Sequence, residues 1–75
     1  SKRVGIDKML EYFHIGLDEC MAFGDGGNDI QMLSHVGNGV AMGNASKEVM
    51  DAAGYVTTSV DENGIYNALK HFNII

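Results

Sequence analysis

The sequence predicts an α/β fold built on a parallel sheet. Three observations carry that expectation. Short apolar runs of strand length alternate with stretches whose apolar residues recur every three or four positions, in the order helix, strand, helix, strand, helix, strand, helix. The small residues of Gly39-Val40-Ala41-Met42 suit a strand covered by helices on both faces. Glycine-bearing loops follow the first two strands, Gly24 to Gly27 and Gly43-Asn44, at the strand ends where open α/β sheets bind ligands. Right-handed crossovers complete the expected topology.

Taken in order, Ile6, Met9, Leu10 and Phe13 mark an amphipathic helix that ends before Gly16. His14 to Glu19 is a loop, and Cys20-Met21-Ala22-Phe23 is the first strand. A helix starting near Asn28 follows, with Ile30, Leu33 and Met32 inward; His35 falls at its end, where an imidazole can bond free carbonyls. Gly37-Asn38-Gly39 is a turn into the second strand, Gly39 to Met42. The next helix runs over 47–53, with Asn44 or Ser46 as its cap and Gly54 as its terminal glycine. Tyr55-Val56-Thr57-Thr58 is the third strand. Asp61-Glu62-Asn63-Gly64 turns into a last helix with Ile65, Ala68, Leu69 and Phe72 on one face, its acidic pair suited to the helix start. The five methionines fall on apolar faces and read as core filling, Tyr12, Tyr55 and Tyr66 read as packing, and His14 and His71 read as surface.

Seventy-five residues without proline make one small domain or a piece of one. A domain of this size buries only about 60% of its unfolded surface. A hydrophobic content of 45% excludes a disordered chain, and the net charge of −5 argues against a nucleic-acid partner. Binding a phosphate with that charge requires a cation, and Mg²⁺ resolves the conflict. Cys20 is the sole cysteine, so no internal disulfide forms; in an apolar strand it reads as a small buried hydrophobe. No apolar run of membrane-spanning length and no signal peptide occur, which makes a cytoplasmic protein the expectation and a membrane partner unexpected.

The chemistry concentrates in Phe23-Gly24-Asp25-Gly26-Gly27-Asn28-Asp29-Ile30. A carboxylate at a strand end is held by the sheet and can offer one oxygen in a fixed direction. Mg²⁺ takes hard oxygen ligands, typically one or two carboxylates plus waters and phosphate oxygens. Asp25 suits a direct ligand and Asp29 a bond to a metal-bound water. Gly24, Gly26 and Gly27 allow a sharp turn and leave room for a ligand near the main chain. Asn28 sits by a helix start, which favours an anion. The plain alternative is a turn in which Asp29 only caps a helix. An EF-hand fits poorly, because Gly27 occupies a ligand position and no glycine follows Asp29.

The string Gly24-Asp25-Gly26-Gly27-Asn28-Asp29-Ile30-Gln31-Met32-Leu33, followed by Gly39-Val40-Ala41-Met42-Gly43-Asn44-Ala45 and Ala53-Gly54-Tyr55-Val56-Thr57, resembles the C-terminal part of haloacid dehalogenase (HAD) superfamily phosphatases, closest to the Cof-type, sugar-phosphatase-like branch. The resemblance covers nearly all 75 residues. It implies a three-layer, Rossmann-like core and hydrolysis of small phosphorylated metabolites, sugar phosphates first, through an aspartyl phosphate with Mg²⁺. It also implies metal-binding roles for Asp25 and Asp29, phosphate contacts for Asn28 and Asn44, and a catalytic lysine that holds phosphate, matched by Lys2 ahead of the first helix. Against this, Lys2 reads as a solvated residue at a frayed end, and Arg3 and Lys8 are alternative cations.

In such enzymes the nucleophile lies in an N-terminal D-x-D motif, and a cap selects the substrate. This chain contains no D-x-D and no cap. Residues 1–75 are therefore expected to be the C-terminal part of the core, with Ser1 near the point where the chain returns from the cap. Alone they are expected to be inactive and to self-associate through the open edge of the first strand, or to pair with the rest of the core and cap. Two other readings remain. The phosphorylation domain of a cation-transporting ATPase shares a similar turn, but Ile30-Gln31-Met32 and Gly43-Asn44-Ala45 fit the soluble phosphatases better. A non-catalytic binding module would have no need of Asp25, Asn28 and Asp29 together.

Overall fold

The computed structural model describes residues 2–75. Ser1, expected near a chain re-entry point, lies outside them. Helix α1 spans Lys2–Phe13, strand β1 Met21–Gly24, helix α2 Ile30–His35, strand β2 Asn38–Ala41, helix α3 Lys47–Ala52, strand β3 Tyr55–Val56 and helix α4 Gly64–His71. Single 3₁₀ turns at Leu17–Glu19, Gly27–Asp29 and Val60–Glu62 punctuate the loops. The three strands form one parallel sheet in the order β1-β2-β3, with Met21 opposite Asn38 and Val40 opposite Tyr55. The predicted α/β alternation is thus observed in full.

Alternation along the strands divides the sheet into two faces. On one, Ala41 packs against Leu33 of α2 and Val49 of α3, with Ala22, Ile30 and Met50 around them. On the other, Met42, just past β2, lies under Gly64 at the start of α4, and Thr57 Oγ1 donates to the Gly64 carbonyl at 2.8 Å. Gly39 faces α2 so closely that an added Cβ would lie 2.0 Å from the Leu33 carbonyl oxygen and 2.8 Å from its carbon. Backbone cannot swing aside as a side chain can. Gly39→Ala is therefore expected to cost the intact protein about 3 kcal/mol or more, a fall in melting temperature of at least about 5 °C, checked by thermal denaturation. A variant melting with the parent would refute this contact.

The element ends differ from expectation in instructive ways. Lys2 lies in the first turn of α1 and not ahead of it. That helix does end before Gly16, at Phe13, and His14 after it is left-handed with a φ of 56°. Gly39 belongs to β2 as expected, but Asn38 joins it too and Met42 lies beyond its end. Gly54 is no left-handed terminator: α3 is capped at Ala53, and the Gly54 N–H donates to the Gly39 carbonyl at 2.9 Å, extending the sheet. Neither Asn44 nor Ser46 caps α3 through its side chain. The third strand is two residues shorter than expected, because Thr57 and Thr58 leave it to hold the Val60–Glu62 turn and α4.

Side-chain expectations also shift. Met42 is buried, whereas Met9 is 63% exposed, so α1 does not contribute its methionine to this core. Indeed α1 buries no residue within the described chain. Tyr12 and Tyr66 are exposed, and Tyr55 stacks on His71 with centroids 4.0 Å apart. His35 bonds the Asp7 carboxylate of α1 in place of helix-end carbonyls and so pins α1 to α2. Cys20 is half-buried and free.

Candidate active site

The β1–α2 loop is organised by Asp29. Its Oδ2 accepts the backbone N–H groups of Asp25 and Gly26, both at 3.2 Å. Its Oδ1 accepts the Lys2 ammonium at 2.6 Å. The Asp29 side chain is only 13% exposed, while Lys2 remains 51% exposed, so the carboxylate is the buried partner of the pair. The Lys2 hydrogen bond, then the Gly26 amide, hold the Asp29 carboxyl below the usual carboxylate range, against the opposing effect of partial burial. One side chain thereby closes the turn after β1 and ties it to α1.

Gly24 and Gly26 serve this arrangement by their size. An added Cβ at Gly24 would lie 2.7 Å from Asp29 Cβ and 2.9 Å from its Cγ, so only glycine lets Asp29 fold back beneath the loop. At Gly26 it would meet the Asn28 Oδ1 at 2.9 Å; at Gly27 it would meet open space. None adopts a positive φ, so the sharp-turn reason expected for these glycines does not apply.

With Asp29 occupied, Asp25 is the open carboxylate. It is exposed at the carboxyl end of β1, and its Oδ2 lies 3.4 Å from Asn44 Nδ2. Asn44 in turn accepts the Val60 N–H through Oδ1 at 3.3 Å. Asn28 is exposed in the Gly27–Asp29 turn beside them. The sequence candidates Lys2, Asp25, Asn28, Asp29 and Asn44 thus converge on one end of the sheet, although they come from three separate segments.

Beside them lies a cavity of about 250 Å³ lined by Phe23, Gly24, Asp25, Asp29, Met42, Val60 and Ile65. Val60 and Ile65 were not visible as site residues in the sequence. The signal that could have found them is their place after β3, on the same sheet end as Asp25 and Asn44. The donor set suits a hard cation in part: an exposed carboxylate on a rigid strand end next to an amide, with room for water and phosphate oxygens. Among the described residues no three His, Cys, Asp or Glu side chains converge to hold a metal by themselves. No described helix is long and apolar enough to cross a membrane.

The chain resembles known proteins along its length. A family model described as haloacid dehalogenase-like hydrolase matches residues 1–69. The "Uncharacterized protein in pdhA 5'region" of Geobacillus stearothermophilus is 52% identical over 75 residues, spanning 100% of this chain and 79% of the relative. A 5-amino-6-(5-phospho-D-ribitylamino)uracil phosphatase of Bacillus subtilis (strain 168), YitU, is 38% identical over 72 residues, 96% of this chain and 27% of the relative. Among solved structures, a HAD subclass IIB sugar phosphatase, BT4131, superposes with a TM-score of 0.96 at 56% identity, covering 100% of this chain and 29% of that one. The chain therefore spans less than a third of the length of those two phosphatases.

Proposed function

We propose, from the premise that this chain belongs to the haloacid dehalogenase-like hydrolase family, that it forms the metal-and-lysine quarter of a Mg²⁺-dependent phosphomonoester hydrolase. Two of the relatives named above, YitU and BT4131, are phosphatases by name, and this chain corresponds to one part of each. The observation that carries the reading is the division of labour between two carboxylates. Asp29 is neutralised by Lys2 and spends itself on the loop; Asp25 is left exposed and unpaired by any cation among the described residues.

Asp25 would hold the Mg²⁺, with Asp29 bonding a metal-bound water beside it. The ion, when bound, neutralises phosphate charge and orients the phosphoryl group. Lys2, half-exposed on a short bond to Asp29, is positioned to turn its remaining N–H donors to a phosphoryl oxygen. Asn28 offers a side-chain amide to the same group from the loop. The nucleophilic carboxylate, which in this reading becomes an aspartyl phosphate, would come from elsewhere in the intact protein, on a strand pairing with β1. That strand edge is unpaired among the described residues. An isolated 75-residue chain would offer the same edge to a second copy.

The substrate is a small phosphorylated metabolite, with sugar phosphates first. YitU and BT4131 carry different substrates in their names while resembling this chain throughout, which supports a specificity determinant outside these residues. The test is phosphate release from a panel of hexose phosphates and ribityl phosphates by the intact protein, with and without Mg²⁺. Metal-dependent release from at least one is expected, and none from the 75-residue chain alone. An intact protein inert toward every phosphomonoester would overturn the reaction class. Turnover by the isolated chain would overturn the division of the site.

A further inference from the structure

We infer that Asn44 is a positioning residue that aims the Asp25 carboxylate, and that the backbone N–H of Val60 sets the direction of its amide. The inference rests on the reading of Asp25 as the metal ligand. It starts from the chemistry of an amide, whose two ends differ: one only accepts, the other only donates. A backbone N–H only donates, so the end of Asn44 facing Val60 N at 3.3 Å is the oxygen. That leaves Nδ2 directed at Asp25 Oδ2, 3.4 Å away. Were the amide reversed, both contacts would be lost.

Both distances are long for hydrogen bonds, so neither contact is strong alone. Their force comes from the frame. Asp25 follows β1, Asn44 follows β2 and Val60 follows β3, so a single side chain links the loops after all three strands. The loop carrying Asn44 is itself fixed: Gly43 N donates to the Thr58 carbonyl at 3.1 Å and Ala45 N to the Met42 carbonyl at 3.0 Å. An added Cβ at Gly43 would lie 2.8 Å from both Ser59 N and the Thr57 carbonyl oxygen, which shows how tightly the second and third loops are pressed together. Asp25, by contrast, is exposed and would otherwise sample several rotamers. A donor on one oxygen restricts it and leaves the other oxygen for a cation.

Two substitutions test this on the intact protein, read as the dissociation constant of Mg²⁺ by calorimetry without substrate. Asn44→Ala removes both contacts and is expected to weaken Mg²⁺ about tenfold, the loss of a modest hydrogen bond to a charged group. Val60→Pro removes the N–H that sets the amide, keeps Asn44 in place and leaves an apolar side chain in the cavity wall. Val60 is the first residue of its 3₁₀ turn, and Ser59 before it is extended at φ −68° and ψ 166°, so proline is accommodated there. That variant is expected to weaken Mg²⁺ about threefold with its melting temperature retained, which a role confined to holding the loops would not produce. Wild-type affinity in both variants, with Asp25→Asn binding no Mg²⁺, overturns the role of Asn44 alone. Wild-type affinity in Asp25→Asn as well overturns the reading of Asp25 on which it rests.

Discussion

Asp25→Asn in the intact protein is expected to lower Mg²⁺-dependent turnover by at least about a thousandfold, with a melting temperature within about 2 °C of the parent. The two halves of that expectation come from different observations. Asp25 is exposed, and its one side-chain partner among the described residues is an amide at 3.4 Å, so the fold has little invested in its charge. Asparagine keeps the shape and loses only the negative charge that would bind the cation. The measurement is kcat and the Mg²⁺ concentration at half-maximal rate, alongside a thermal melt. A variant that retains a tenth of the parent rate at the parent's Mg²⁺ requirement would move the metal away from Asp25. A variant that loses rate only because it unfolds would place Asp25 in the scaffold instead.

The expectation could be framed from the sequence because the elements that hold Asp25 announce themselves locally. The alternation of apolar runs with three-and-four spacing located the strands and every helix but α3, which its flanking residues marked, since these are local properties of the chain. The glycine loop after β1 placed Asp25 and Asp29 at a strand end for the same reason. What stayed hidden depends on partners far apart in sequence. Nothing near Lys2 shows that its ammonium will rest on Asp29, 27 residues away, or that helix α1 begins early enough to carry it there. Nor does Asn44 show locally that it will ignore the helix it precedes and bridge Asp25 to Val60. His35 was read against its own helix end and found its partner in Asp7. Gly24 and Gly26 are needed for a reason the sequence hides, because a neighbour's approach cannot be seen in a dihedral preference, while Gly27 faces open space.

Asp29→Asn is expected to destabilise the intact protein by about 1–3 kcal/mol at neutral pH, and the deficit should close on acidification. The carboxylate faces donors on both oxygens: two backbone amides on one and the Lys2 ammonium on the other. Asparagine has one accepting end, so in either orientation its NH₂ confronts a donor. Lys2 is half-exposed and solvent screens its charge, so most of the loss falls on the two part-buried amides that close the turn. The pH dependence follows from the lowered Asp29 pKa. The unfolded carboxyl titrates near about 3.9, and the folded one below its ordinary value. The carboxylate's stabilisation is therefore fully present above about pH 5 and is lost as pH falls through the folded pKa. Asparagine does not titrate, so plots of stability against pH for parent and variant should run parallel above about pH 5 and converge below about pH 4. Denaturant unfolding across pH 3 to 8 reads this directly. Lines that stay parallel to the acid end would mean that the charge of Asp29 does not hold the loop, and the division of labour between the two carboxylates would fall with it.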